Sequence, residues 1–401
     1  MVIFAGNRGE TVRSDCFVRI SPAPEQRMTI RLKSKVESLY GNSIRELCEK
    51  ILRFYELDNV LVEIDDSGAL SFVIAARLEA AIRQYSHSPK EYLFPVREQN
   101  RIKTGKERSR QTRLYLPGNE PKLMINAGIY GSDAVILDLE DSVSPEKKEE
   151  ARILVRNALC QVDFYGAERM VRINQLPLGL EDLKCVVPFH VNFIVVPKCE
   201  YPHQIEEVES VIENLLGTKE HGIHLMPIIE SALGVEHVFQ ILSCSPNIAA
   251  VAIGLEDYTA DLGVPRTLQG EESVYARTRI VNAAVAAGLQ PLDSVFPDFK
   301  DPVALREHAI RSKALGFKGM GCIHPSQVPI IHEAWIPGDP EIEKARKIVS
   351  AFYKAKEEGR SVVSVGSKMV DPPVVKRALK IINEAVAAHK LDENWRDFYE
   401  Q

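Results

Sequence analysis

From residue 113 onward the chain repeats one unit, a short apolar β-branched run followed by helical spacing of apolar positions. RLYLP precedes a helix from Glu120, AVILDL precedes SPEKKEEARILVRNAL, RMVRIN comes next, and FIVVPK precedes HQIEEVESVIENLL. HLMPIIE then precedes LGVEHVFQIL, AAVAIGLED leads to SVYARTRIVNAAVAAG, PLDSVF to VALREHAIRSKALG, and KGMGCIHP to SQVPIIHEAW. Eight strands, most followed by an amphipathic helix, predict an α/β fold of the closed (β/α)8 barrel type, since open doubly wound sheets normally have fewer strands. No Gly-rich dinucleotide fingerprint or phosphate loop follows any of them, which argues against a Rossmann enzyme.

The first 86 residues carry a different pattern. FVRISP and MTIRLKSKV alternate as strands, and SIRELCEKILRFYE places Ile44, Leu47, Ile51 and Leu52 on one helical side. LVEIDDSGALSF reads as a strand, an Asp-Asp-Ser-Gly turn and a second strand, a hairpin, before ARLEAAIRQY closes the unit as a helix. Between the two patterns, residues 87–112 are polar and rich in Lys and Arg. Like charges extend a chain, so this stretch reads as a solvated linker; a basic approach for a phosphate-bearing substrate is the sharper alternative. The expected division is a small α+β domain over 1–90, a basic linker over 91–110, the barrel over 111–335, and a C-terminal helical extension over 336–401.

Composition narrows the function classes. Of 401 residues, 45% are apolar and 26% charged, which is ordinary globular usage and not that of a disordered chain. A net charge of -6 disfavours a nucleic-acid partner, whose phosphates demand basic surface. No apolar run reaches the roughly 20 residues a membrane helix needs, and MVIFAGNRGE lacks a basic region before a long apolar stretch. The seven cysteines are odd in number and scattered, without a C-x-x-C pair, a pattern of reduced thiols that predicts a soluble cytoplasmic protein.

In a barrel, chemistry gathers at the C-terminal ends of the strands. Those ends carry Pro117-Gly118-Asn119, Asp138-Leu139-Glu140-Asp141, Arg172-Ile173-Asn174, Pro197-Lys198, Glu230, Glu256-Asp257, Asp293 and His324-Pro325. One acidic residue after a strand is usually a helix cap, but polar groups at all eight ends point to a site. Several carboxylates with few His or Cys favour Mg²⁺ or Mn²⁺ over Zn²⁺. Arg172 among them suits recognition of a substrate carboxylate or enolate oxygen. Lys198 is the one strand-end candidate for a Schiff-base lysine, yet acids around a lysine hold it charged and poorly nucleophilic.

The strings TRLYLPGN, VILDLEDSV, VRIN, PKCE, IIESALG, GLEDYTADLG and CIHPSQ, in this order over residues 111–390, resemble the HpcH/HpaI aldolase/citrate lyase superfamily, most of all its citrate lyase beta subunits and malyl-CoA and citramalyl-CoA lyases. The resemblance implies a TIM barrel, usually trimeric, with Mg²⁺ as cofactor and an acyl-CoA or acyl-carrier thioester as substrate. It matches Glu230 and Asp257 to the family's metal ligands and Arg172 to the arginine that contacts the oxo acid or enolate. Glu140 and Asp141 match the acidic residues around ion and arginine, and Arg113 lies in the substrate-binding first strand. GSKMVDPPVVKRA resembles the C-terminal segment whose aspartate, here Asp371, acts as acid/base in a neighbouring subunit's site. Without the resemblance, Asp371 reads as an N-cap with proline just inside the helix.

The N-terminal unit resembles the citrate lyase gamma subunit, an acyl carrier, through RSDCFVRISP, SIRELCEKIL and DDSGALSFVIAARLEAAI. In the carrier a serine near this aspartate bears a CoA-derived phosphoribosyl prosthetic group. With Asp15 and Arg19 aligned, the modified position holds Arg13, Ser14 sits one residue later, and three extra residues follow Ala5-Gly6, so either Ser14 is the attachment residue or the domain is an unmodified lid or docking module. The implied activity is a Mg²⁺-dependent retro-Claisen lyase cleaving a citryl, malyl or citramalyl thioester into an oxo acid and an acetyl thioester, with a citrate lyase alpha subunit as a further expected partner. The alternatives are a pyruvate-type aldolase acting on free hydroxy-oxo acids and a non-catalytic carrier or scaffold subunit.

Overall fold

The alternating runs near the amino terminus form β1 (Ile3–Gly6), β2 (Cys16–Pro22) and β3 (Thr29–Ser34), followed by α1 (Glu37–Phe54) and β4 (Val60–Asp66). The sheet order is β1-β2-β4-β3, with only β3 and β4 parallel. In the computed structural model, which describes residues 1–24, 27–357, 363–365 and 368–395, no second strand follows β4. The expected hairpin is instead a turn into helix α2 (Ser71–Ser86). Asp66 Oδ1 accepts from the N–H groups of Gly68 at 3.0 Å and Ala69 at 2.7 Å, and Gly68 holds φ +83°, so the turn redirects the chain. From Phe72 through Ile82 every residue of α2 is buried, Arg77 and Glu79 included, so the segment has no solvent face to give it a clear amphipathic period.

The barrel strands are β5 (Thr112–Pro117), β6 (Ala134–Asp138), β7 (Glu168–Arg172), β8 (Phe193–Val196), β9 (His224–Ile229), β10 (Ala250–Ile253), β11 (Gln290–Leu292) and β12 (Met320–Cys322). All neighbouring pairs are parallel, in the order β11-β10-β9-β8-β7-β6-β5-β12. A bridge between Asp293 and Met320 joins the two ends of the sheet. Inside it, Ile136, Met170, Phe193, Val195, Met226 and Ile228 form one buried cluster. Outside it run α3 (Pro121–Met124), α4 (Lys148–Gln161), α5 (Gly179–Val186), α6 (Pro202–Leu216), α7 (Ala232–Ser243), α8 (Leu255–Leu262), α9 (Val274–Ala286), α10 (Pro302–Leu315) and α11 (Gln327–Trp335). All seven cysteines are free thiols.

The basic stretch before the barrel differs from the solvated linker expected of it. Arg110 is fully buried and paired with Glu168 at the start of β7, Nε to Oε2 at 2.6 Å. Lys103 donates to the His221 carbonyl, Asn192 to the Ile102 carbonyl, and Gln290 to the carbonyls of Lys106 and Arg108. These partners lie at the N-terminal ends of β7, β9 and β11 or just before β8, so the stretch straps the floor of the barrel, opposite the C-terminal ends of the strands. A basic approach for substrate phosphate would need the other end.

Met1–Val328 is one compact unit and Pro329–Gln401 a second. In the second, α12 (Asp339–Glu357) and α13 (Pro372–Ala387) pack through Ala345, Val349, Ala378, Ile382 and Trp395, and β13 (Val363–Val365) pairs antiparallel with β14 (Lys368–Val370). Gly366 and Ser367 of the C-terminal motif lie outside the described residues. Among the described residues no helix is long and apolar enough to cross a membrane.

Candidate active site

The strand ends open into a cavity of about 440 Å³, lined among others by Arg113, Tyr115, Asp138, Arg172, Glu230 and Asp257, a usual size for a small-molecule site. Asp138 ends β6 and Arg172 ends β7, directly opposite each other in register. Asp138 receives Arg172 as a fork, Nε to Oδ1 at 2.6 Å and Nη2 to Oδ2 at 2.8 Å. Arg172 Nη1 lies 2.8 Å from Glu140 Oε2 and 3.5 Å from Asp141 Oδ2, and its guanidinium stands 5.5 Å from the centre of the Tyr115 ring. Burial works against the charge on Arg172, but Asp138 outweighs it and holds the guanidinium firmly protonated. Burial also opposes ionisation of Asp138, and the Arg172 hydrogen bonds still keep its carboxyl below the usual range.

Glu230 follows β9 and is 5% exposed. Burial pushes its carboxyl up to about 8, against a hydrogen bond to Oε1 from the Lys198 N–H. Its place depends on Gly254, where a Cβ would stand 2.3 Å from Glu230 Oε2. Asp257 lies in the first turn of α8 and is met by the Lys198 ammonium at 3.4 Å. Burial opposes the Lys198 charge, yet Asp257, Glu140, Asp141 and Glu230 together raise its pKa, the wrong direction for a Schiff-base nucleophile. Glu256, also on the cavity lining, pairs with Arg266 at 2.7 Å.

Arg113 is 1% exposed; its Nη2 donates to the Asp293 carbonyl at 3.1 Å, while Nε and Nη1 have no partner. A buried guanidinium with free donors facing a cavity is suited to an anionic guest. Glu140 does not line the cavity: burial, the largest effect on it, raises its carboxyl to about 7, and it faces Arg172 and Gln175. Asp141 lines the mouth and is half exposed.

Other strand-end residues have structural duties. Asn174 is held by Asp182, Asn119 by Arg77, and the Asp293 carboxylate by Arg277 and Ser312. His324 stacks on Phe299, ring centres 4.8 Å apart. Asp371 caps α13, its Oδ1 accepting from the Val374 N–H at 3.1 Å. Ser14 is half-buried with φ 55°, and its N–H donates to the Ser67 carbonyl.

Among the described residues no cluster of three or more His, Cys, Asp or Glu forms a ready-made metal cage. Two carboxylates in one cavity nevertheless fit Mg²⁺, which takes one or two protein carboxylates and fills its other positions with water and substrate oxygens. Two features of this site escaped sequence reasoning, the grip of Asp138 on Arg172 and the room that Gly254 leaves for Glu230. The first was accessible in principle, because both residues end consecutive parallel strands.

Residues 111–325 match the HpcH/HpaI aldolase/citrate lyase family, and residues 7–85 match the family described as malonate decarboxylase delta subunit. The citrate lyase subunit beta of Leuconostoc mesenteroides subsp. cremoris is 38% identical over 291 residues, 71% of this chain and 96% of that protein. The human mitochondrial citramalyl-CoA lyase is 31% identical over 292 residues, 69% and 86% of the two chains. A crystal structure of the protein CitE from Mycobacterium tuberculosis, in complex with magnesium, acetoacetate and coenzyme A, superposes with TM-score 0.59 at 28% identity, covering 69% of this chain and 98% of that one.

Proposed function

The chain belongs to the HpcH/HpaI aldolase/citrate lyase family and is a carbon–carbon lyase, and from that premise we propose that it cleaves a citryl, malyl or citramalyl thioester of CoA into an oxo acid and an acetyl thioester, with Mg²⁺ as cofactor. The observation that carries this reading is a single cavity in which two arginines, Arg113 and Arg172, meet several carboxylates, Glu230 and Asp257 among them. That is the charge pattern needed to hold an anionic substrate beside a divalent cation.

Glu230 and Asp257 would hold the Mg²⁺ ion, which when bound supplies Lewis-acid polarisation of a substrate oxygen. Arg113 binds a substrate carboxylate through its free donors. The β-hydroxyl proton would pass to water at the open mouth of the cavity as the carbon–carbon bond breaks, and the electron pair of that bond passes into the acetyl-thioester enolate. Arg172, fixed and kept cationic by Asp138, faces that developing charge, an arrangement commonly worth several kcal/mol. Asp371 of a neighbouring copy would protonate the enolate carbon, which makes the active species an oligomer, a homotrimer in this reading.

Asp257→Ala tests the assignment: release of oxo acid from an acyl-CoA thioester should lose its dependence on Mg²⁺ and fall to background. Wild-type rates in that variant without Mg²⁺ would overturn it. A preference for free hydroxy-oxo acids over thioesters would favour the aldolase alternative. The match over residues 7–85 supports one further reading, a prosthetic group on Ser14, which the intact mass of protein from its native host would reveal.

A further inference from the structure

The amino-terminal domain meets the barrel through a core and not through a docking surface. α2 is buried from Phe72 through Ile82 and α4 from Glu150 through Cys160. A helix buried on all sides needs partners on all sides. α2 has β1, β2 and α1 of its own domain on one side and α4 of the barrel on the other.

Charged groups lock this contact. Arg77 on α2 is fully buried and uses all five of its donors: Nε and Nη2 to the Asp15 carboxylate at 3.0 and 2.9 Å, Nη1 to Glu150 at 3.1 Å and to Asn119 Oδ1 at 3.2 Å, and Nη2 again to the Asn119 carbonyl at 3.0 Å. Glu150 also accepts from the Gly6 N–H at 2.8 Å. A second fork joins Arg156 of α4 to Glu79 of α2, at 3.0 and 2.6 Å, and Asn157 donates to the Phe72 carbonyl.

Two paths lead from this lock to the cleft. Asn119 follows Gly118, whose N–H donates to the Asp138 carbonyl at 2.7 Å in a contact too close for any Cβ, which would lie 2.5 Å from that oxygen. Asp138 in turn grips Arg172. On α4, Lys148 donates to the carbonyls of Leu139 and Glu140 at 2.7 and 2.5 Å, setting the loop that carries Glu140 and Asp141.

We propose that the amino-terminal domain is a fixed wall of the catalytic barrel, with Arg77 a positioning residue that holds Asn119 and through it Asp138 and Arg172. This inference rests on the thioester-lyase reading for its kinetic half only.

The test uses the full chain, with an unmodified intact mass, acting on an acyl-CoA thioester. Arg77→Met should lower kcat by about tenfold or more while KM stays within about twofold, and Arg77→Lys should recover part of the loss. In the Arg77→Met protein, amide hydrogen exchange should speed up together in peptides covering 71–86, 112–124 and 138–148, and not in β9. If Arg77→Met does not fold, Asn119→Ala, which leaves the other bonds of Arg77, should show the same split at smaller size. Wild-type kinetics in a folded Arg77→Met protein, or faster exchange confined to residues 1–86, would overturn the wall. A wild type inert on every thioester would instead strike the functional reading, leaving the exchange experiment to decide the wall.

Discussion

Asp138 and Arg172 face each other across neighbouring parallel strands and join through two hydrogen bonds of 2.6 and 2.8 Å. The pair fixes the plane of the guanidinium at the edge of the cavity, so its direction is settled before substrate arrives. Asp138→Asn keeps the size but removes the charge that holds Arg172. We expect kcat to fall by about 10²-fold, because a preorganised cation is lost rather than a contact. Arg172→Lys should cost at least as much, since an ammonium cannot reproduce the fork. Steady-state kinetics on an acyl-CoA thioester checks both, and an unimpaired Asp138→Asn enzyme would contradict this role.

With Glu230 as a proposed metal ligand, cation binding should depend on pH. Its carboxyl stays protonated up to about 8 in the metal-free protein, so a cation must displace a proton to bind. Mg²⁺ affinity should rise by about tenfold per pH unit below that value and level off above it. Calorimetry at pH 7 in buffers of different ionisation enthalpy should report close to one proton released per ion. The stability of the metal-free protein has the opposite slope. The unfolded carboxyl ionises near 4.5 while the folded one holds its proton to about 8, so this contribution is complete below 4.5 and is lost as pH rises to 8. Melting temperatures in chelator across that range give the sign directly.

Gly254→Ala should separate the ion from the fold. Its Cβ would collide with Glu230 Oε2 at 2.3 Å and with Glu230 Cβ at 2.8 Å, while the backbone there has an ordinary negative φ of -103°. The expected result is a folded protein whose Mg²⁺ affinity and turnover both collapse. A variant that binds Mg²⁺ normally by calorimetry would remove Glu230 from the ligand set.

Arg110→Met probes the barrel floor. Removing one partner of a fully buried pair leaves the Glu168 charge stranded, a loss of about 3–5 kcal/mol. Chemical denaturation should register that loss, while kcat of the folded fraction stays near wild type because the pair lies at the far end of the strands.

The barrel and most of its site could be read from the chain because they rest on local signals. Eight β-branched runs announce the strands, and the rule that chemistry sits at strand ends places Arg172, Glu230 and Asp257 in one candidate set, whose ligand roles only the family resemblance assigns. What escaped depends on distant partners. Arg110 looks like one more solvated cation in a basic stretch until Glu168, 58 residues later, buries it. Arg77 reads as the polar side of a short helix, although its donors go to three separate segments. The turn at Asp66 carries the composition of a hairpin, and only the all-round burial of α2 decides for a helix. The acids around Lys198 keep it charged as expected, but its partner Asp257, in the helix after the next strand but one, was not legible as such.

The strap beneath the barrel has a consequence for assembly. Because residues 87–110 tether the amino-terminal domain to its own barrel, their association is unimolecular, and the high effective concentration makes it independent of expression level. Stoichiometry is thereby written into the gene product: every barrel carries one such domain, in any oligomer and at any dilution. Supplying the two pieces as separate polypeptides would turn a concentration-independent architecture into a binding equilibrium, and partial occupancy would appear as a mixture of walled and unwalled sites.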